Sequence, residues 1–248
     1  MTPATAVIPN WNRRDLLAAL LSSLERQTRP FEDVVVADNG SEDGSAEEAA
    51  RRGARVLRLA RNEGFAVAVN RGIAAARTPC VAVLNNDVEL APDWLERLSA
   101  ALEASPDAWF ATGKILNQQD RKRLDGAFDL LCRGACAWRA GHGREDGPAW
   151  NRARRVAFAS FTAALFRAQL FERVGPLDEG FESYLEDTDF CLRCATAGLA
   201  GRVYTSTWRR CPETPPAHPE PRGSAAQSTA APGHVRQCTA QGRPCGKA

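Results

Sequence analysis

Three acids occupy four positions at Glu186-Asp187-Thr188-Asp189, directly ahead of Phe190-Cys191-Leu192. Like charges this close repel unless a helix start, a cation or a metal compensates them. Arg193 stands four residues beyond Asp189. A carboxylate in such a cluster can act as a general base toward a hydroxyl; a negatively decorated helix N-terminus is the plainer alternative. Asp87 follows Asn85 and Asn86 just past the apolar run 80–84. A carboxylate beside amide oxygens suits a hard divalent cation, Mg2+ or Mn2+, with phosphate oxygens completing its shell. Capping the following turn is the other use for Asp87 and Asn86. Asp38, ahead of Asn39-Gly40-Ser41, could accept hydrogen bonds from a base or ribose, or form an ordinary Asx turn. Asn62 and Gly64 carry the same ambiguity, and Gly64 would admit close backbone approach to a ligand. No G-x-G-x-x-G follows a strand.

These groups need elements to hold them. Val7 and Ile8 read as a first strand interrupted by Pro9, before a polar loop at Asn10-Trp11-Asn12. Leu16, Leu17, Leu20, Leu21 and Leu24 recur at helical spacing, which predicts an amphipathic helix over 13–27. Residues 34–37 form a short apolar strand that runs straight into Asp38. A short helix through Ala50 follows, with Ser45 able to cap it, then a strand over 55–59. Phe65, Val69 and Ile73 share one helix face. Residues 80–84 are the next strand, and Pro92 suits the first turn of a helix carrying Trp94, Leu95 and Leu98. Short apolar strands alternating with amphipathic helices predict an α/β fold with a mostly parallel sheet flanked by helices. Binding crevices in such folds lie beyond the carboxyl ends of the strands, so Asp38 and Asp87 are expected to share one site.

Residues 114–155 differ, being rich in Arg and Gly. They read as a basic, loop-rich insertion with a strand or hairpin near 129–138, either solvated or meeting phosphate groups. Order returns over 156–166, and Leu170, Phe171 and Val174 continue a helical face that Gly175-Pro176 stops. Residues 181–185 read as an aromatic turn. The acids then open a helix ending near Gly198, and 201–204 form a last strand. The chain thus divides into a first half, 1–113, a second half of the same domain, 114–210, and a proline-rich tail, 211–248. That tail has no Leu, Ile, Phe, Trp or Tyr and is expected to be disordered.

The 248 residues carry 32 Lys and Arg against 30 Asp and Glu, so the net charge of +2 offers no global argument for nucleic-acid binding. No apolar run reaches the roughly 18 residues of a spanning helix, and the N-terminus lacks a signal-peptide pattern. A cytoplasmic protein is the expectation, with peripheral contact at the inner membrane face left open. The eight cysteines show no zinc-site spacing and read as reduced thiols.

Six segments in this order resemble the family 2 glycosyltransferases of the GT-A fold, in particular their bacterial rhamnosyltransferase-like branch. They are Pro9-Asn10-Trp11-Asn12, the stretch from Val36 to Ser45 around Asp38, Asn62-Glu63-Gly64-Phe65-Ala66 with Asn70, Leu84-Asn85-Asn86-Asp87, Val174-Gly175-Pro176-Leu177-Asp178-Glu179, and Glu186 to Arg193. The resemblance covers about 5–204. It implies an inverting enzyme that moves a sugar from a nucleoside-diphosphate sugar to a glycan, lipid-linked or small-molecule acceptor. It assigns Pro9, Asn10, Asn12, Asp38, Asn62, Gly64, Asn85 and Asn86 to the nucleotide pocket and Asp87 to the cation. Asp187 matches the catalytic base and Glu186 its helper at the acceptor. Arg193 matches a group that holds diphosphate or steadies the acids. Asn85 replaces an acid of the strict D-x-D metal motif. The family's histidine after the last core strand has no counterpart between Tyr204 and Arg210, and His218 comes late, inside the tail. A non-catalytic nucleotide- or carbohydrate-binding homologue is therefore the alternative. A sugar nucleotidyltransferase is a weaker one, because residues 10–14 lack the glycine-rich loop it would need.

Overall fold

The structure is a computed structural model and describes residues 2–133, 136–181 and 184–210, with 202–210 described as backbone only. The expected tail and His218 lie outside the described residues. Twelve strands and six helices are described: β1 (Ala4–Asn10), α1 (Arg14–Glu25), β2 (Asp33–Asp38), α2 (Ser45–Arg51), β3 (Arg55–Arg58), α3 (Phe65–Ala75), β4 (Cys80–Leu84), β5 (Val88–Leu90), α4 (Trp94–Glu103), β6 (Phe110–Leu116), β7 (Leu124–Gly126), β8 (Asp129–Leu131), β9 (Ala137–Arg139), β10 (Arg154–Val156), β11 (Ala163–Arg167), α5 (Gln169–Val174), α6 (Glu186–Thr196) and β12 (Gly201–Arg210).

One mixed sheet runs through both halves in the order β10-β12-β6-β11-β4-β1-β2-β3. Its β4-β1-β2-β3 side is wholly parallel. β11 enters antiparallel between β4 and β6, while β12 runs parallel to β6. β8 and β9 form a separate antiparallel hairpin within the expected span.

Side-chain alternation along the strands divides the core between the sheet's two faces. Ile8, Leu84 and Leu165 pack on one face with Leu17, Leu20, Trp94 and Leu98 of α1 and α4. Their neighbours Val7, Val83 and Phe166 pack on the other with Val69, Phe110, Phe161 and Phe190. Each fully buried leucine or phenylalanine contributes about 1.5–3 kcal/mol by leaving water. The second face holds an aromatic cluster in which Phe190 meets Phe161 at 5.4 Å and Phe171 at 5.1 Å between ring centroids. That cluster fixes α6 against the sheet.

Three sequence expectations change. β1 does not break at Pro9 but runs to Asn10, with Pro9 opposite Ala37. Its ladder with β4 ends at Val7, so the proline's missing N–H falls where only one neighbour strand remains. The ordered run 156–166 is split: a turn through Ser160 and Thr162 separates β10 from β11, and Ser160 Oγ lies 2.6 Å from Thr162 Oγ1. The last strand continues past Tyr204 to Arg210, because β6 and β5 both pair with its far end. The basic insertion is also more internally paired than its composition implied. Lys114 is buried in β6 and donates to Asp146 at 2.6 Å and Asn151 at 2.6 Å. Arg123 pairs with Asp120, and Arg155 with Asp107.

Candidate active site

The carboxyl ends of β1, β2 and β4 meet in one polar cradle. Asn10 and Asp38 are register partners at the ends of β1 and β2, and both are buried. Asn10 Nδ2 donates to Asp38 Oδ1 at 3.4 Å and to Ser41 Oγ at 3.3 Å. Ser41 N–H donates to Asp38 Oδ2 at 3.1 Å, closing the turn that follows β2. Asn86 Nδ2, past β4, donates to Asn10 Oδ1 at 2.7 Å. Asn12 lies at the rim, where its side chain accepts from Glu42 N–H at 2.8 Å. Asn62 and Gly64 join through Asn39, whose amide donates to Asn62 Oδ1 at 2.8 Å and Gly64 O at 3.0 Å. Gly40 shapes this floor: its φ is 75°, and a Cβ there would lie 2.7 Å from the Arg61 Cα.

The same cradle reaches α6. Asn85 N–H donates to Thr162 O at 2.9 Å. The adjacent Phe161 N–H lies near enough to the Asp187 carboxylate to favour its ionised form. A run of hydrogen bonds and short peptide links therefore goes from Asp38 through Asn10, Asn86, Asn85 and Thr162 to Phe161, whose N–H neighbours Asp187. Consecutive Cα atoms are only about 3.8 Å apart, so these three loops share one end of the sheet. Asp87 is buried beside them, and the Asn85 Oδ1 is buried without a hydrogen-bond partner. That orphaned amide oxygen beside a carboxylate fits a hard cation. The described residues contain no cluster of three or more acidic, His or Cys side chains able to hold a metal alone. A cation here would thus take part of its shell from a ligand. The chain leaves β12 with Arg210 opposite Val88, the residue after Asp87.

Glu186 and Asp187 open α6 behind a strained turn. Tyr184 and Leu185 have φ of 68° and 74°, a left-handed conformation that costs bulky residues roughly 1–2 kcal/mol each. The turn sets the acids against the β8–β9 hairpin, around an open cleft of about 310 Å³. Burial pushes the Glu186 carboxyl up to about 7, and the charge of Asp187 pushes the same way. Burial also raises Asp187, against the opposing pull of Arg139 and of N–H donors from Thr188 and Phe161. Asp129 is raised by burial, again against Arg139, and the negative charge of Asp187 adds to the rise. Arg139 lies 3.2 Å from Asp125 and 3.3 Å from Asp129, and donates to Ser160 Oγ at 2.9 Å. Arg193 faces elsewhere: it pairs with Asp189 at 2.9 Å and donates to the carbonyls of Val174 at 2.8 Å and Pro176 at 2.9 Å. Its described donors hold the α5–α6 connection.

The family model "Glycosyl transferase family 2" matches residues 5–175, well over half of the chain. The chain belongs to glycosyl transferase family 2. Among relatives of this glycosyltransferase, an N-acetylglucosaminyl-diphospho-decaprenol L-rhamnosyltransferase of Mycobacterium tuberculosis is 31% identical over 212 residues, covering 73% of this chain and 67% of the relative. An uncharacterized protein of Sinorhizobium fredii is 31% identical over 227 residues, covering 84% of this chain but only 24% of its own length. Two solved structures share the fold. GalNAc-T7 with UDP, GalNAc and Mn2+ superposes with a TM-score of 0.70 at 15% identity, over 85% of this chain and 44% of that one. TarS of S. aureus gives 0.60 at 18% identity, over 84% and 36%. The architecture is the GT-A fold, as the family resemblance implied.

Asp125, Asp129, Arg139 and His142 line this glycosyltransferase's cleft, and residue type and spacing single out none of them. All four lie far from α6 in the sequence. The usable signal was the hairpin itself, since pairing sets Asp129 opposite Arg139. The described cysteines 80, 191 and 194 are buried thiols outside any disulfide. Burial raises the Cys191 and Cys194 thiols far from the reactive thiolate state. No helix among the described residues is long and apolar enough to cross a membrane.

Proposed function

We propose that this chain is an inverting glycosyltransferase that moves a sugar from a nucleoside-diphosphate sugar to the hydroxyl of a glycan or lipid-linked acceptor. The observation that carries the reading is the run of hydrogen bonds and adjoining residues that brings Asp38 and Asp187 together at one end of the sheet. In this reading residues 1–113 hold the donor and residues 114–210 supply the acceptor side. Asp38, Asn10 and Asn12 bind the nucleoside, while Asn62 and Gly64 border the ribose and diphosphate. Asp87 with Asn85 holds a divalent cation, which when bound offsets charge on the departing diphosphate. GalNAc-T7, solved with UDP and Mn2+, supports that chemistry by analogy of fold.

Asp187 removes the acceptor proton as the hydroxyl oxygen attacks the anomeric carbon. The bond to the diphosphate breaks in the same displacement, so the anomeric configuration inverts and no sugar–enzyme bond forms. Glu186 lies beside Asp187 and orients the acceptor. A base with a raised pKa is stronger than an ordinary carboxylate, which suits proton transfer from a weakly acidic hydroxyl. Because the mycobacterial relative is an N-acetylglucosaminyl-diphospho-decaprenol L-rhamnosyltransferase, an L-rhamnosyl donor and a diphospho-polyprenyl acceptor are the first pair to try.

The test is a panel of nucleotide sugars with polyprenyl-diphosphate-linked acceptors, scored for transfer and product configuration. Transfer should require Mg2+ or Mn2+ and stop on chelation, and Asp87→Ala should need much more metal. Full turnover in chelator would remove the cation from the reading, and a retained anomeric configuration would remove single displacement.

A further inference from the structure

The cleft between α6 and the β8–β9 hairpin has an unusual lining. Trp138 is 65% exposed and Tyr184 is 61% exposed, the two most exposed large hydrophobic side chains among the described residues. Both border the same cleft. Trp and Tyr bodies present apolar faces to water that a flat partner can cover. Below them Glu186 is buried, and its Oε2 has no hydrogen-bond partner. A buried acceptor without a donor calls for a ligand N–H or O–H.

The charge balance narrows the partner. Asp125, Asp129, Glu186 and Asp187 all face the cleft, and Arg139 already serves Asp125, Asp129 and Ser160. The His142 Nδ1 lies 2.8 Å from the Asp125 carbonyl oxygen. A phosphate or carboxylate entering here meets four acids and, among the described lining residues, no uncommitted guanidinium. The volume of about 310 Å³ is at the low end for ligand sites, enough for a single ring.

We propose that this cleft is an acceptor subsite selective for an uncharged sugar: one pyranose laid against Trp138 and Tyr184, with its hydroxyls donating to Glu186 and Asp187. It deepens the reading of Asp187 as the acceptor-side base and rests on it. Any phosphate of a lipid-linked acceptor then sits outside the acid-lined cleft. Acceptor specificity resides in two aromatic side chains that are not part of the nucleotide cradle.

Saturation-transfer NMR on the full chain tests this, using methyl glycosides of glucose, galactose, mannose, rhamnose and N-acetylglucosamine beside the 6-phosphates and uronates of the same hexoses. At least one neutral glycoside should bind, with Kd on the order of millimolar, and the anionic analogues at least about tenfold more weakly. Trp138→Ala and Trp138→Ser should each weaken that binding about tenfold, with the thermal midpoint unchanged because the ring is exposed. Glu186→Gln should weaken it several-fold. The proposal is overturned if no neutral glycoside binds, if both Trp138 variants bind like the parent, or if anionic analogues bind equally well. Asp187→Asn separates the two readings: a variant that still transfers sugar defeats the base assignment, whereas glycoside binding insensitive to Trp138 defeats the subsite alone.

Discussion

The nucleotide cradle and the α6 cleft both bury carboxylates, and they treat them in opposite ways. Asp38 sits at a strand end where Asn10 and Ser41 N–H donate to both of its oxygens. Glu186 has a buried oxygen with no donor, and its neighbour Asp187 adds a like charge. The first has N–H donors on its oxygens, while burial disfavours the ionised state of the second. Within the one site, the cradle end is prepared to bind, and the α6 end is held at a cost that only a ligand or a proton relieves. Preorganised donors suit nucleotide recognition, and a raised carboxylate suits proton abstraction.

The largest expected effect separates these ends. Asp187→Asn should lower kcat by about 10²–10⁴-fold and leave the Kd for a nucleoside-diphosphate probe, UDP here, measured by calorimetry, within about twofold of the parent. Asp38→Ala should do the reverse, weakening UDP by about tenfold or more because Asn10 and Ser41 lose a shared acceptor. If both variants lose nucleotide binding equally, the contrast between the two ends fails.

How much of this contrast was legible from sequence follows from contact distance. The cradle was, because each strand runs directly into its own polar loop, and Asp38 and Asp87 stand just past apolar runs. A parallel sheet then brings those loops together without further information. The lining of the α6 cleft was not. Asp129 and Arg139 acquire meaning only when the hairpin pairs and folds onto α6, and their local sequence reads as one more basic loop. β5, β6 and β7 were also missed. β5 and β7 are three residues each, while β6 begins beside a helix and places Lys114 within a buried strand. Lys114 suppresses the apolar signal, and its distant partners Asp146 and Asn151 explain its burial. For Arg193 the sequence left open a diphosphate ligand or a group steadying the acids; in the structure it pairs with Asp189 and clasps the carbonyls of Val174 and Pro176.

The next effect sharpens the comparison through pH. Glu186 has a folded pKa of about 7 against an ordinary value of 4.5. A carboxyl whose pKa rises on folding prefers the protonated state when folded. Its contribution is therefore present below about 4.5 and is lost as pH climbs through about 7. The loss is on the order of 3 kcal/mol at full ionisation. Urea unfolding at pH 5 and pH 8 should show the parent weakening across this interval and Glu186→Gln weakening distinctly less. An identical slope in both proteins would place the cost elsewhere. Asp187 contributes to activity with the opposite sense: transfer needs its ionised form, so the rate should rise with pH on the acid side. Arg139→Gln, removing the cation that opposes the raised pKa, should move that limb to higher pH.

A smaller effect probes the cradle floor. Gly40 has φ 75°, and an added Cβ would press on the Arg61 backbone. Gly40→Ala should cost roughly 1–3 kcal/mol and weaken UDP while sparing glycoside binding at the cleft. Gly143 is the matched control in the second half, with φ 71° and nothing within 4 Å of an added Cβ. Its alanine variant carries only the dihedral cost and should sit clearly closer to the parent in thermal unfolding. Equal losses would mean that conformation alone, not the approach of Arg61, demands glycine at 40.

The smallest effect tests whether the two ends are mechanically joined. Asn70, on α3 of the parallel half, clasps the loop after α5: its Oδ1 accepts from Leu177 N–H at 2.9 Å, and its Nδ2 donates to Leu177 O at 2.9 Å and Glu179 Oε1 at 2.9 Å. Leu177 is itself buried, so its backbone has no ready substitute partner in water. Asn70→Ala should cost about 1–2 kcal/mol. That loop is also the one Arg193 of α6 grips through Pro176. Loosening it frees α6 to shift against the nucleotide half, so the acceptor KM should rise a few-fold while UDP affinity holds. Asn70→Asp keeps an acceptor for Leu177 N–H but sets a carboxylate against Leu177 O and Glu179 Oε1, and should lose at least as much as alanine in both measures. A loss of stability with an unchanged acceptor KM would show that the clasp serves folding only, leaving α6 positioned by the aromatic cluster around Phe190.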